Sequence, residues 1–320
     1  MEEVKCLFCQ TETDKVFWEE NGYKGRKCQR CGLIYISPRP SEEEMKTLYE
    51  QGLAGGATAE EQMENRYLKD LNARYTLGLI QKYKQTGRLL EIGSGGGQFL
   101  QAAKSASFSP YAVEINRKQA QYIEDTLKIP TENCSASWPH FFKDLQFDVI
   151  YHKDLLSHLH NPLEVFKTIH TKLKDDGILV FETGNFGDLS KRWLNFLGRV
   201  SYPEHVYLFS RQNILDLLNL SGFACLETHY HTVVVSALFW KVFFSLTDLF
   251  AHYVKLARKG STELPDLLSK QVKSKPLHHT NYTFTQKLKD LLPHLLAYRL
   301  SKPFPHSWPS TVIFIAKKVR

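Results

Sequence analysis

The 320-residue chain contains no run of eighteen apolar residues, no low-complexity tract and no internal repeat. A membrane-spanning helix is therefore not expected, and the composition is that of a soluble globular protein. A leader is missing from the reading too. The first eight residues, MEEVKCLF, are acidic and too short for a signal peptide. Cysteine is sparse, and two of the six, Cys134 and Cys225, stand alone. That pattern argues against a disulfide framework and for a reducing cytoplasm. Acid is scarce at one end: residues 251–320 hold thirteen Lys/Arg against three acids, while the rest of the chain is close to neutral. The overall +7 charge thus belongs to the carboxyl-terminal part, where an anionic partner would meet it.

The other four cysteines form two pairs, Cys6-x2-Cys9 and Cys28-x2-Cys31, with eighteen residues between. Each pair can turn two thiolates towards one ion, and two such knuckles close a tetrahedral Zn²⁺ shell without an open position. The spacing predicts a structural zinc ribbon over 1–40. Metal binding would supply folding energy to a stretch too short to bury a core of its own.

Ser41 followed by Glu44 is a capping box, and a second helical pattern covers 60–83, so 41–85 reads as a helical linker or cap. From Arg88 strands and helices alternate. Strands are predicted at 88–92, 111–115, 147–151, 178–182, 223–229 and 311–316, and helices at 98–105, 117–127, 162–173 and 211–220. Such alternation predicts a mostly parallel sheet covered on both faces. The last strand lies far from its predecessor, which makes 233–308 an insertion and 86–232 plus 309–320 one domain.

Leu89-Leu90-Glu91-Ile92-Gly93-Ser94-Gly95-Gly96-Gly97-Gln98-Phe99 reads as a strand, a glycine turn and a helix start. Glycines let a ligand approach the backbone, and the helix start adds oriented N–H groups. Gln98 stands where a dinucleotide fingerprint needs its third glycine, so that match fails. The pattern E-x-G-x-G-x-G resembles motif I of class I S-adenosylmethionine (SAM) methyltransferases. Glu114, closing the next strand, is placed to accept from both ribose hydroxyls. Phe147-Asp148-Val149-Ile150 and Leu173 to Val180 are similar to the family's fourth strand and the turn into its fifth. The stretch Cys28 to Pro40 looks like bacterial members with an amino-terminal zinc ribbon, many of them associated with sugars, surface glycans or secondary metabolites.

The resemblance implies a doubly wound seven-stranded α/β sheet with its last strand antiparallel. It implies SAM contacts from Glu91, Gly93, Ser94, Gly95, Gly97, Phe99, Glu114 and Ile115. Ser137, with Asn133 and Ser135, falls where the family reads adenine, and His152 and Lys153 follow the fourth strand. Two histidines compete as the base that takes the acceptor's proton: His205, before a Phe-Ser turn, and His158, in a stretch where relatives carry Glu-His and this chain has Ser157-His158. His160 reads as solvent-facing. Asn185, after the fifth strand, is expected with His205 on the acceptor side. Asp148 reads as a structural acid.

In the insertion, 238–259 has a wide apolar face with a narrow polar stripe. It reads as a core or dimer helix, or as one lying among lipid headgroups, with basic residues through 275 nearby. Together these features predict a cytoplasmic methyltransferase, at most peripheral on the inner face of the membrane. Its acceptor would be a small molecule, a sugar or glycan or lipid-linked metabolite, methylated on oxygen or carbon. An rRNA base methyltransferase is the alternative enzyme, disfavoured by a ribbon whose charges nearly balance, and a non-catalytic scaffold is the third reading.

Overall fold

The computed structural model describes residues 1–50, 67–232, 291 and 307–319. The insertion helix at 238–259, the headgroup-contact stretch at 238–275 and the linker residues 51–66 lie outside the described residues. No helix of the described residues is long and apolar enough to cross a membrane.

A hairpin of β1 (Val16–Glu20) and β2 (Tyr23–Lys27) turns through Asn21-Gly22, both at positive φ, the conformation a two-residue hairpin requires. Then come β3 (Ile34–Ile36) and α1 (Glu42–Glu50), whose first turn carries the expected capping box between Ser41 and Glu44. The helix α2 (Tyr67–Ile80) leads to β4 (Gly87–Ile92), α3 (Gln98–Ser105), β5 (Phe108–Val113), α4 (Arg117–Asp125) and the short β6 (Thr131–Glu132). Next are β7 (Phe147–Lys153), α5 (Pro162–Lys172), β8 (Leu173–Gly184), α6 (Lys191–Leu197) and β9 (Tyr207–Leu208). The helix α7 (Arg211–Leu220), β10 (Phe223–Thr232) and β11 (Ser310–Lys318) complete the described elements.

Seven strands form one sheet in the order β10-β11-β8-β7-β4-β5-β6. β4 runs parallel to β5 and β7, and β7 parallel to β8, while β11 is antiparallel to both β8 and β10. This is the doubly wound sheet with its reversed last strand that the sequence pattern predicted. Alternation sorts its side chains between two cores. Leu89, Val149, Tyr151, Ile313 and Ile315 meet α2, α3 and α4 on one face. Leu90, Ile150, Phe181 and Phe314 meet α5 and α7 on the other, together with Cys6, Cys28, Leu33 and Tyr35.

The amino-terminal segment therefore shares a core with the large domain. Its sheet is completed by it as well: the order is β1-β2-β3-β9, with Ile34 opposite Leu208 and Tyr35 opposite Tyr207. A third cluster, Ile34, Ile36, Leu189, Leu194, Val200, Tyr202 and Leu208, seals this junction.

Candidate active site

A cavity of about 650 Å³ opens at the carboxyl ends of β4, β5, β7 and β8, the crevice where parallel α/β sheets bind ligands. Glu91, Gly93, Ser94, Gly95, Gly96 and Phe99 line it from the loop between β4 and α3. Gly93 and Gly95 adopt positive φ, which bends the chain tightly enough to present its backbone to the cavity. Glu114, just past β5, holds the loop from across: one carboxylate oxygen accepts from the Gly95 amide at 2.7 Å and the other from Asn116 at 2.8 Å. Burial pushes its pKa up, opposed by the amides of Asn116, Gly95 and Ile115.

Two more buried acids form the floor. Glu182 accepts from Thr76 at 2.6 Å and Tyr151 at 2.8 Å and lies 3.0 Å from the Lys153 ammonium. Burial works against its charge, yet Lys153 and the two hydroxyls together hold its pKa below the usual carboxylate range. Glu91 has no such support. Burial, then the charges of Glu114 and Glu182, push its carboxyl well up, and Lys153 offsets this in part. The two neighbouring acids of the floor are thus shifted in opposite directions.

The opposite wall carries His158, His160, Ser201, Glu204 and His205, with Glu42, Met45, Lys46 and Tyr49 from α1 above them. The His158 and His205 rings meet edge to face, centroids 4.8 Å apart, and His158 Nδ1 hydrogen-bonds the Tyr49 hydroxyl at 2.8 Å. Burial, and then His205, bring His158 down to about 3. Burial also lowers His205, but the Val200 carbonyl and the carboxylates of Glu204 and Glu20 pull it back up.

The comparisons with known proteins bear on this geometry. A family model described as "Methyltransferase domain" matches residues 60–228, a little over half of the chain. The chain belongs to this methyltransferase family. It is 25% identical over 176 residues to the ubiquinone biosynthesis O-methyltransferase of Actinobacillus pleuropneumoniae serotype 5b (strain L20), covering 48% of this chain and 73% of that protein. Among solved structures, coclaurine N-methyltransferase bound to N-methylheliamine and SAH superposes with a TM-score of 0.50 at 13% identity, over 85% of this chain and 82% of that one. A SAM-dependent methyltransferase from Archaeoglobus fulgidus does so at 0.47 and 18% identity, over 78% and 94%. These structural likenesses are of fold.

The cavity of this SAM-dependent methyltransferase fits its cofactor on its own observations. The Ser94 hydroxyl and one Glu91 oxygen are buried without a hydrogen-bond partner among the described residues, a state that a polar ligand would relieve. Three buried carboxyl groups suit a molecule with a sulfonium and an ammonium. Four thiols at the amino end likewise suit a metal: the sulfurs of Cys6, Cys9, Cys28 and Cys31 lie within 4.8 Å of one another. A tetrahedral site with Zn–S bonds of about 2.3 Å needs sulfurs roughly 3.8 Å apart. Asn213 of α7 fixes the second knuckle by donating to the Cys31 carbonyl at 3.0 Å.

Four sequence expectations need correction. His152, expected beside the cofactor, is fully buried on the other face of the sheet, stacked on Phe181 and edge-on to Phe166. The strand continues to Lys153, and its alternation sends Tyr151 and Lys153 to the cavity instead. Gly97 does not line the cavity. It precedes α3 at φ 73, where a Cβ would sit 2.6 Å from Leu127, so its place is in packing the loop against α4. Asn185 faces the start of β11, donating to the Trp308 carbonyl and accepting from the Ser310 amide, each at 2.8 Å. His160 is half-buried against the Pro40 carbonyl and lines the cavity.

Ile115 and Ser137 line the cavity, while Asn133 is occupied by the Glu114 and Ile115 carbonyls. Asp148 takes the Arg88 amide and Lys174, a structural role. Sequence reasoning missed Tyr49, Glu204 and the acidic floor at Glu182. Glu182 was visible as a strand-end acid, but nothing local marks Tyr49.

Proposed function

We propose that this methyltransferase acts on a hydroxyl, or an acidified carbon, of a small acceptor, a sugar or glycan or lipid-linked metabolite, with His205 as the base. The observation that carries the reading is the histidine pair, set in the same cavity as the glycine loop and Glu114. SAM supplies an electrophilic methyl group. In this reading the Gly93–Gly95 turn, Ser94 and Glu91 hold its methionine end, Glu114 its ribose, and Ile115 and Ser137 the adenine side. Zn²⁺ at Cys6, Cys9, Cys28 and Cys31 has a structural role.

The two imidazoles have different tasks. A ring held near 3 is too weak a base to take a proton at neutral pH, so His158, fixed by Tyr49, orients its neighbour. His205 is lowered by burial but pulled back up by the Val200 carbonyl and the Glu204 and Glu20 carboxylates, and it lines the cavity. It would accept the proton as the acceptor oxygen attacks. The acid-base needs of a hydroxyl acceptor, and the relative named as an O-methyltransferase, favour oxygen over nitrogen.

Calorimetry tests the cofactor half. The wild-type protein should bind SAM, and Glu114→Ala should bind it about 10- to 100-fold more weakly, because a charged hydrogen-bond acceptor for both ribose and loop is lost. Failure of well-folded wild-type protein to bind would overturn the reading. Acceptor class follows from incubation with methyl-labelled SAM and separate sugar-nucleotide, glycolipid and RNA fractions. Label in RNA alone would sink the small-molecule assignment.

Glu91 gives a second measurement. Burial and its acidic neighbours push its carboxyl well up, and a cation placed beside it should favour the charged form. SAM binding should therefore release a fraction of a proton, seen as a binding enthalpy that differs between phosphate and Tris buffers at one pH. Glu91→Gln should remove the difference.

A further inference from the structure

The hairpin tip of the amino-terminal segment reaches the wall of the cavity. Glu20, the last residue of β1, accepts from the Val200 amide at 2.7 Å through one oxygen and from the Ser201 amide at 3.0 Å through the other. Asn21, in the turn, donates to the Tyr202 carbonyl at 2.7 Å. Trp18 steadies the Glu20 carboxylate through its indole N–H at 3.1 Å. Tyr202 lies over Gly25 of β2 so closely that any Cβ there would clash with its hydroxyl. Three consecutive residues, 200–202, are therefore gripped by residues about 180 positions earlier in the chain.

What they grip is not a relaxed loop. Ser201 sits at φ 65, a left-handed conformation costly for a residue with a Cβ, and it lines the cavity. The His205 amide donates back to the Ser201 carbonyl at 3.1 Å, so the Ser201 conformation sets where His205 begins. Val206 then donates to the Ser157 carbonyl at 2.8 Å, next to His158, and accepts from Ile36 of β3. Both ends of this stretch are thus pinned, one by the hairpin tip and one by β3 and the His158 turn.

We propose that Glu20 and Asn21 are positioning residues for the acceptor side of the site: they hold 200–205 in the arrangement that sets His205 against His158. This rests on the reading of His205 as the base, and it gives the cysteine-bearing segment a part in that reading. Glu20 bears on His205 electrostatically as well, since its charge is among those raising the imidazole. The segment would then serve as a support for this wall of the site.

The test uses full-length, zinc-loaded protein with ¹³C-labelled histidine and bound SAM. In the wild type, through-space cross-peaks should connect the ring protons of His158 and His205. Glu20→Gln, which puts an NH₂ group where an amide needs an acceptor, and Asn21→Ala should each lose those cross-peaks. Affinity for SAM should stay within about twofold, as expected for a site not in contact with the clamp. Glu19→Gln, exposed on the same strand, should behave as wild type.

A simple loss of stability would lower the melting temperature and leave the ring contact of the folded molecules intact, which overturns the proposal. Retained cross-peaks in both variants overturn it as well. Parallel loss of SAM binding in the milder Asn21→Ala would mean that the tip supports the whole fold, again against a local role. If the wild type itself fails to bind SAM, the functional reading falls, while the cross-peaks still decide whether the clamp sets the histidine pair.

Discussion

Chelating the zinc proposed at the four cysteines should cost this protein more than its amino-terminal segment. Cys6 and Cys28 are buried, and the apolar residues of β3, Ile34, Tyr35 and Ile36, are buried against the large domain rather than in a core of the segment's own. Without an ion, four sulfurs would stay crowded with little to repay their desolvation, so the knuckles should open. Structural zinc contributes an apparent binding free energy on the order of 10 kcal/mol, more than a segment of this size can replace by packing. The damage should then spread along the connections seen here: the Cys31 carbonyl to Asn213, β3 to β9, and Glu20 to 200–201. Chelation, or Cys28→Ser, should lower the thermal midpoint by roughly 10 °C, equivalent to about 3–5 kcal/mol in a domain of this size. Zinc added back should restore the chelated protein but not the serine variant. An unchanged midpoint in protein shown to be metal-free would remove zinc from the account.

Local signals in the sequence located their elements well. Helix α3 begins where Gly97 ends the glycine turn, and α7 begins at the Ser210 capping box with Asn213, so both helices occupy the predicted residues. Strand ends were less legible. β5 starts three residues before the prediction, because Pro110 lies where the two-residue β6 is not yet alongside, and its missing N–H costs nothing there. β8 takes in 173–177, a stretch that reads as a turn, because pairing with β7 continues around Gly177.

The site divides in the same way. The glycine loop and Glu114 belong to one βαβ unit, and their pattern is visible within thirty residues. The wall opposite the glycine loop is assembled from Tyr49, His158, Glu204 and His205, with the hairpin tip at Glu20 behind it, and no spacing rule connects these residues. The two histidines looked like competitors in the sequence because nothing in it shows that β9 joins the amino-terminal sheet and carries His205 to His158. His152 was misplaced for a smaller reason. With the strand ended at Tyr151, the next two residues read as loop, whereas one more turn of the pleat decides that His152 and Lys153 face opposite ways.

That misplaced histidine yields the other large effect. His152→Phe should stabilise the protein, and the gain should grow as the pH falls. The imidazole has no exposed surface, and both its nitrogens lack a partner among the described residues, between the rings of Phe181 and Phe166. Filling the position with an apolar ring removes two buried polar atoms, worth about 1–3 kcal/mol less any strain from the slightly larger side chain. Burial pulls the folded-state pKa to about 3, against about 6.5 for the unfolded chain.

A group depressed in this way leaves the fold at full strength above the unfolded value. Between about 6.5 and 3 the unfolded chain takes up a proton that the native ring refuses, so stability is lost throughout that window as pH falls. The loss is about 1.4 kcal/mol per pH unit, hence about 2 kcal/mol by pH 5 for this residue alone. Urea midpoints of wild type and His152→Phe at pH 8 and pH 5 isolate the term. The contributions of His158 and Glu91 enter both proteins alike and cancel in the difference. His152→Leu guards against overpacking by phenylalanine. A gap between variant and wild type that stays constant from pH 8 to pH 5 would mean that the ring can be protonated in place, and that this face of the sheet is wetter than its packing implies.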